Sequence, residues 1–418
     1  MAVREVYLIG GFSTRFGKRP SDSYKALVRE AYLGVIADAG LPDGMQIDTA
    51  WFGNCTMHVD GQALVRGQVC MTPLVREGLF PERVPLVNVE NGCATASTAM
   101  VGAYRDILAG AAHLSLVIGV EKLIDPQTGK GRMEAFTSGI DCLDRDEWMT
   151  YYNAAGERAG KRFEIGPGRT PFMDTYAMQA CYHMKKYGTT REQIAIAAAK
   201  THNYGALNPR AQYRFRMTPE EVLADREVSY PLTRSMCAPL TDGAAALLLC
   251  SRDFLLQCSP RTRERAVRIR GIGMSGGKYR ELDEPSLSWV AARKAYEAAG
   301  VTPQDIDVAE VHDATSFSEI YQAEMMGFCP PGEGGRFIES GATHPGGRIP
   351  INTSGGLVSK GHPIGATGAS MIYELMEQLR GEAGPRQVKG ARLALAENGG
   401  GVIGFDEAAC VVTILERA

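Results

Sequence analysis

Cys93 and His362 are the two residues of this sequence best placed to do chemistry. Cys93 lies in VENGCATASTAM, residues 89–100, between a glycine and a run of small residues. Ala94, Thr95, Ala96 and Ser97 after it read as a strand giving way to a closely packed helix that leaves room for an incoming group. A helix start offers unsatisfied N–H groups and partial positive charge, which lower a thiol's pKa and favour the thiolate. An imidazole within reach would complete a nucleophile. The plain alternatives are a small buried cysteine and a histidine that caps a helix.

An internal repeat brings the two residues into relation. Residues 5–54 and 266–313 both run as a short apolar strand, a glycine loop, an amphipathic helix, Ala-Gly, a turn, Ile-Asp and a second apolar strand. The Ala-Gly pairs fall at 39–40 and 299–300. Residues 92–121 and 361–397 match again, each with glycine, a reactive residue, a small-residue helix and a buried strand. This pairs Gly92 with Gly361 and Cys93 with His362, which predicts two equivalent helix starts converging on one cavity. Strands alternating with helices imply mostly parallel or mixed sheets covered by helices. The expected division is an N-terminal half over 1–260 and a C-terminal half over 261–418. A Gly-, Tyr-, Met- and Arg-rich insertion over about 122–235 breaks the pattern, with helices near 174–187 and 191–204.

The bulk properties narrow the function classes. The 418 residues are 44% hydrophobic and 22% charged, with net charge −3, so nothing points to nucleic acid or an anionic membrane as partner. No apolar run is long enough to span a bilayer, and the N-terminus does not read as a secretion signal, so a cytoplasmic location is expected. None of the ten cysteines forms a C-x-x-C pair. No zinc site is therefore expected in this chain, and most of the thiols are expected to be reduced.

ENGCATASTAM, VHDATSF, SGGLVSKGHPIGATGAS and ENGGGVIG, in that order and spacing, resemble the thiolases, and more narrowly the sterol-carrier-protein-type (SCP2-like) thiolases. The resemblance implies an α/β thiolase fold: two similar halves in a layered α-β-α-β-α arrangement, an inserted loop domain and a homodimer or dimer of dimers. It implies that Cys93 accepts an acyl group from an acyl-CoA, with coenzyme A as co-substrate. His362 would activate Cys93 and help bind a thioester oxygen. His312 would position a water or donate to the second substrate's oxyanion. The N–H groups of Cys93 and Gly400 would form the other oxyanion hole. Lys130, Arg132, Arg158, Lys161 and Arg169 are candidates to meet coenzyme A phosphates, against a solvated surface.

The pattern also breaks. Thiolases carry a second acid/base cysteine, either in a Cys-x-Gly motif, where this chain has Asn398, or in His-Asp-Cys-Phe, where it has Ala314. His312 or a water, or Cys237 or Cys329, would have to carry the proton, unless the reaction does without that step. His58, His344 and Asn398 are candidate substrate contacts. The implied activity is cleavage of a branched, cyclic or aromatic 3-oxoacyl-CoA, of benzoylsuccinyl-CoA type, by coenzyme A. The alternatives are a biosynthetic C-acyltransferase, a retro-aldolase and a non-catalytic thiolase-like subunit. A small partner subunit with a zinc ribbon and an OB-fold is a further expectation of the resemblance.

Overall fold

The computed structural model describes residues 4–42, 46–164 and 170–418. Its principal sheet has nine strands: β1 (Val6–Ser13), β2 (Thr49–Gly53), β3 (Leu86–Val89), β4 (Leu114–Glu121), β7 (Gly243–Ser251), β8 (Val267–Gly276), β9 (Val308–Glu310), β10 (Leu393–Gly400) and β11 (Ala409–Arg417). β5 (Glu227–Ser229) and β6 (Leu232–Thr233) form a separate hairpin. The order is β3-β2-β4-β7-β1-β8-β11-β10-β9. β1 and β8 meet at the centre through only two residue pairs, Tyr7 with Arg268 and Leu8 with Val267. Outward from that seam β1, β7, β4 and β2 on one side match β8, β11, β10 and β9 on the other. The sequence repeat is thus the symmetry of the sheet.

Helices Thr95–Ala109 and Thr367–Arg380 lie between the two halves. One core joins Ala96, Met100 and Ile107 with Ile372, Leu375 and Met376, and includes inward side chains of both half-sheets. β7 shows how an unbroken apolar run serves two layers. Ala245, Leu247 and Leu249 face these central helices, while Ala244, Ala246, Leu248 and Cys250 face an outer core with helix Tyr24–Ala39. Successive strand residues point to opposite faces, so a strand covered on both sides must be apolar throughout. Helix Leu287–Ala299 covers the outer face of the second half. The result is the layered α-β-α-β-α arrangement. The matched Ala-Gly pairs end the two outer helices: Gly40 and Gly300 are both left-handed C-caps at φ 66°.

The inserted segment carries helices Pro171–Tyr187 and Arg191–Gly205, close to the two expected. It also carries Arg145–Ala159, which the sequence reading missed. That helix is mostly polar with an internal Gly156, and it is held by burial of Trp148 and Tyr152 against Phe163, Met178 and Phe405. No helix among the described residues is long and apolar enough to cross a membrane.

Candidate active site

The turn after β3 sets the nucleophile. Thr95 Oγ1 accepts from the Asn91 N–H at 2.9 Å and donates to the Gly92 carbonyl at 2.6 Å, so a tight loop leads into the helix. Glycine is required on both sides of this turn. A Cβ on Gly92 would lie 2.4 Å from the Gly401 nitrogen, and one on Gly400 would lie 2.6 Å from the Cys93 nitrogen. The end of β10 therefore rests directly against the Cys93 backbone.

His362 arrives differently from the expectation. The two central helices begin at Thr95 and Thr367, so Cys93 precedes its helix by two residues and His362 precedes its own by five. Aligned by their helices, Cys93 faces Gly365 in the repeat, and His362 reaches the sulfur from an intervening loop. Cys93 Sγ lies 3.1 Å from His362 Nε2. The Thr367 hydroxyl donates to the Pro363 carbonyl at 3.1 Å, so it accepts from His362 Nδ1 at 2.8 Å. That network assigns the proton to Nδ1 and leaves the Nε2 lone pair facing the thiol.

His312 follows β9 and completes the group. Its backbone N–H donates to Glu397 Oε2 at 2.9 Å, and both ring nitrogens are buried without a hydrogen-bond partner. Its ring centroid is 5.3 Å from that of His362. The donor atoms of Cys93, His312 and His362 lie within 4.8 Å of one another. They are the only Cys, His and carboxylate cluster among the described residues spaced to hold a metal ion, which would occupy the nucleophile itself.

The resting state is neutral. Burial and then the Glu121, Glu407 and Glu90 carboxylates push the Cys93 thiol up to about 12. Burial, then the neighbouring His312 and Lys360, hold His362 well below its ordinary value. Burial alone lowers His312 to about 4. The thiol therefore lies above its ordinary value rather than below it, because desolvation outweighs the helix-start field. The pair is a thiol hydrogen-bonded to an imidazole, poised to transfer its proton as the sulfur attacks.

Cys93 and His362 line a cavity of about 780 Å³, and His312 is buried beside His362, outside that lining. Met133, Phe136, Phe172, Met173, Leu240 and Ile364 make much of its wall apolar. His58 lines it, with Nδ1 3.0 Å from the Cys55 carbonyl. Asn398 does not. Its Oδ1 accepts from the Ser97 hydroxyl at 2.8 Å, and a Cβ on Gly368 would lie 2.6 Å from that oxygen, so it fills the contact between the central helices and β10. His344 does not either: it lines a different cleft, because the turn after Thr343 carries it away from the catalytic end of the sheet. Ala314 lines the cavity, and so does Cys237, whose thiol donates to the Thr233 carbonyl at 3.4 Å. Cys329 is buried in the outer core of the second half.

The basic candidates of the insertion also fall elsewhere. Arg132 pairs with Asp60 at 2.6 Å, Arg158 pairs with Glu281, and neither Lys130 nor Lys161 lines the cavity. Arg169 lies outside the described residues. Arg66, Arg226 and Arg234 line the cavity instead, the last two flanking the β5–β6 hairpin. The sequence reading also missed Cys55, which lines the cavity with its thiol 3.2 Å from the Gly92 carbonyl. It missed Glu121 as well. This fully buried carboxylate accepts from the backbone N–H groups of Cys55, Thr56 and Gly365, each at 3.0 Å, from Asn54 Nδ2 at 2.8 Å, and from the Thr56 hydroxyl. It ties the loop before His58 to the loop after His362.

Comparison with known proteins fits this geometry. Residues 6–228 match the family described as "Thiolase, N-terminal domain" and residues 284–417 match "Thiolase C-terminal domain-like". The chain is 35% identical over 410 residues to "Acetyl-CoA acetyltransferase" of Methanothermobacter thermautotrophicus, covering 96% of this chain and 98% of that one. It is 36% identical to "Sterol carrier protein 2" of Homo sapiens, covering 97% and 73%. It is 29% identical to "Benzoylsuccinyl-CoA thiolase subunit BbsB" of Thauera aromatica, covering 95% of each. Among solved structures, "Ltp2-ChsH2(DUF35) aldolase" superposes with a TM-score of 0.76 at 21% identity, covering 99% and 98%, a likeness of fold.

Proposed function

The chain belongs to the thiolase family, and from that premise we propose that it is an acyltransferase working through an acyl-Cys93 thioester, which cleaves a 3-oxoacyl-CoA with coenzyme A. The observation that carries this reading is the 3.1 Å contact between Cys93 Sγ and the unprotonated Nε2 of His362. Sulfur attacks the 3-oxo carbon while His362 takes the thiol proton. The N–H groups of Cys93 and Gly400 receive the oxyanion. The C2–C3 bond then breaks, leaving the acyl group on Cys93 and an enolate on the departing thioester. The proton must return to C2, and both usual thiol seats are empty. His312, next to His362 with both ring nitrogens free of partners, takes that proton from His362 and delivers it to C2 in this reading, leaving both imidazoles neutral. The thiol of coenzyme A then attacks acyl-Cys93, its proton passing through His362 to the departing Cys93 sulfur, and releases the shortened acyl-CoA.

The wide cavity with Phe136, Phe172, Met133 and Met173 in its wall supports a bulky branched, cyclic or aromatic acyl group, of which benzoylsuccinyl-CoA is the example. Arg226 and Arg234 are suited to the coenzyme A phosphates. A homodimer in the cytoplasm is part of the same proposal. β3 is a sheet edge, with Leu64, Val65 and Val87 exposed on and near it. A separate zinc-ribbon/OB-fold subunit is also part of it, supported by the relative named as a subunit and by the departures from the usual acid/base cysteine. The intact Cys93–His362 contact favours acyl transfer over the retro-aldol reading, which needs no thiol carrier. Steady-state thiolysis of a panel of 3-oxoacyl-CoAs tests the proposal: bulky apolar substrates turning over faster than acetoacetyl-CoA supports it. Cleavage that needs no coenzyme A and survives Cys93→Ala refutes it.

A further inference from the structure

We propose that a second cleft, at the end of the sheet opposite the catalytic residues, binds a small phosphorylated ligand. The cleft has a volume of about 770 Å³, close to that of the catalytic cavity, and the two share no lining residue. Sheet topology separates them. His312 follows the end of β9, and Gly400 ends β10, which runs parallel to β9. Ile306 and Asp307 before β9, and Val388 and Lys389 before β10, line the second cleft. The opposite wall comes from helix Arg191–Gly205 and the segment leading to Arg216.

Charge gives the cleft its chemistry. Lys200 and Arg386 form a buried floor, but each is already paired, Lys200 with Glu319 and Arg386 with Glu374 and Glu377. The unneutralised cations are Arg216, Arg348 and Lys389, all exposed and without an ion pair among the described residues. Arg348 donates only to the carbonyls of Ile306 and Pro303, at 3.2 and 3.1 Å. Asp307 supplies the sole carboxylate of the lining, and it accepts the N–H groups of Arg392 and Leu393 at 2.8 and 2.9 Å. Arg216, Arg348, Lys389 and His344 thus face a concave space whose lining holds one carboxylate, Asp307, with Asp305 acting on Arg348 from outside the lining. The His-Pro-Gly-Gly turn at 344–347 adds backbone that a ligand can approach closely, with Gly346 at φ 78°. Guanidinium groups match phosphate oxygens in geometry as well as charge, and the volume is that of a small-molecule site. The histidine that reads from sequence as a substrate contact therefore serves a different ligand.

Isothermal titration of the full chain with pyrophosphate and with ADP tests this. Three proteins are compared: wild type, Arg216→Ala/Lys389→Ala, and Arg226→Ala/Arg234→Ala, which removes the cations of the catalytic cavity. Neither Arg216 nor Lys389 has a side-chain hydrogen bond among the described residues, so the first pair is expected to fold, as its melting temperature will verify. The expected result is two binding components in the wild type, one weakened by roughly tenfold or more in the first pair and kept in the second, which loses only the component of the catalytic cavity. No heat from either probe with the wild type overturns the proposal. So does binding lost in the second pair and kept in the first, which would place the phosphate in the catalytic cavity.

Discussion

Replacing His362 by asparagine should change the pH dependence of Cys93 reactivity more than any other single substitution. In the wild type neither partner of the Cys93–His362 pair titrates near neutrality: burial holds the thiol at about 12 and the imidazole well below its ordinary range. Alkylation of Cys93 by iodoacetamide should therefore be nearly flat from about pH 6 to 9, because the proton passes to Nε2 only as sulfur attacks. Without the imidazole, reaction must wait for free thiolate. With a thiol near 12, that fraction is about 10⁻⁵ at pH 7 and rises about tenfold per pH unit. The His362→Asn profile should thus climb about a thousandfold over the same interval, starting about 10²–10⁴-fold below the wild type. Peptide mass spectrometry of timed labelling gives both profiles, with the exposed Cys142 as internal reference. A wild-type profile that climbs like that of an ordinary thiol would refute the reasoning. So would a plateau that survives His362→Asn, since the helix start alone would then supply the thiolate.

Other consequences follow from the same geometry. His312→Asn should leave acylation of Cys93 intact but slow carbon–carbon cleavage by about 10²–10³-fold, read as turnover of the acyl-enzyme against turnover of the full substrate. His312 titrates at about 4 when folded, against about 6.5 unfolded, so the unfolded chain takes up the proton first as pH falls through that window. Stability should drop by about 3 kcal/mol between those limits, and urea melts of His312→Gln should lack that component. Glu121→Gln places an amide among five donors and should cost about 3 kcal/mol in the same assay, with the loops carrying His58 and His362 loosened. Asn398→Ala should cost about 1–2 kcal/mol of stability through its lost bond to Ser97, and leave KM within about twofold.

Much of this architecture is legible in the sequence because it rests on local pattern repeated. The Ala-Gly pairs mark helix ends that need a left-handed residue, and the apolar runs mark strands covered on both faces. The relation of Cys93 to His362 follows from two copies of one unit, although the register was three residues out. Small residues near both helices allow either alignment, and only the helix starts at Thr95 and Thr367 decide it. What could not be read depends on distant partners. Glu121 draws its donors from residues 65 to 244 positions away, and nothing near it in sequence marks it as a tie. Asn398 and His344 sit beside motif residues but point elsewhere, since side-chain direction is fixed by Ser97 in one case and by the turn after Thr343 in the other. The thiol pKa failed for a related reason: a helix start is visible in sequence, and the surroundings that desolvate the thiol are not.

Intact-protein mass spectrometry after incubation with a panel of acyl-CoAs, comparing wild type with Cys93→Ala, tests the central claim most directly. The expected result is a single acyl mass gain on the wild type, removed by coenzyme A and absent from Cys93→Ala, with bulky apolar acyl groups loading best. No gain from any donor, or a gain that persists in Cys93→Ala through Cys55 or Cys237, would contradict the acyl-Cys93 account.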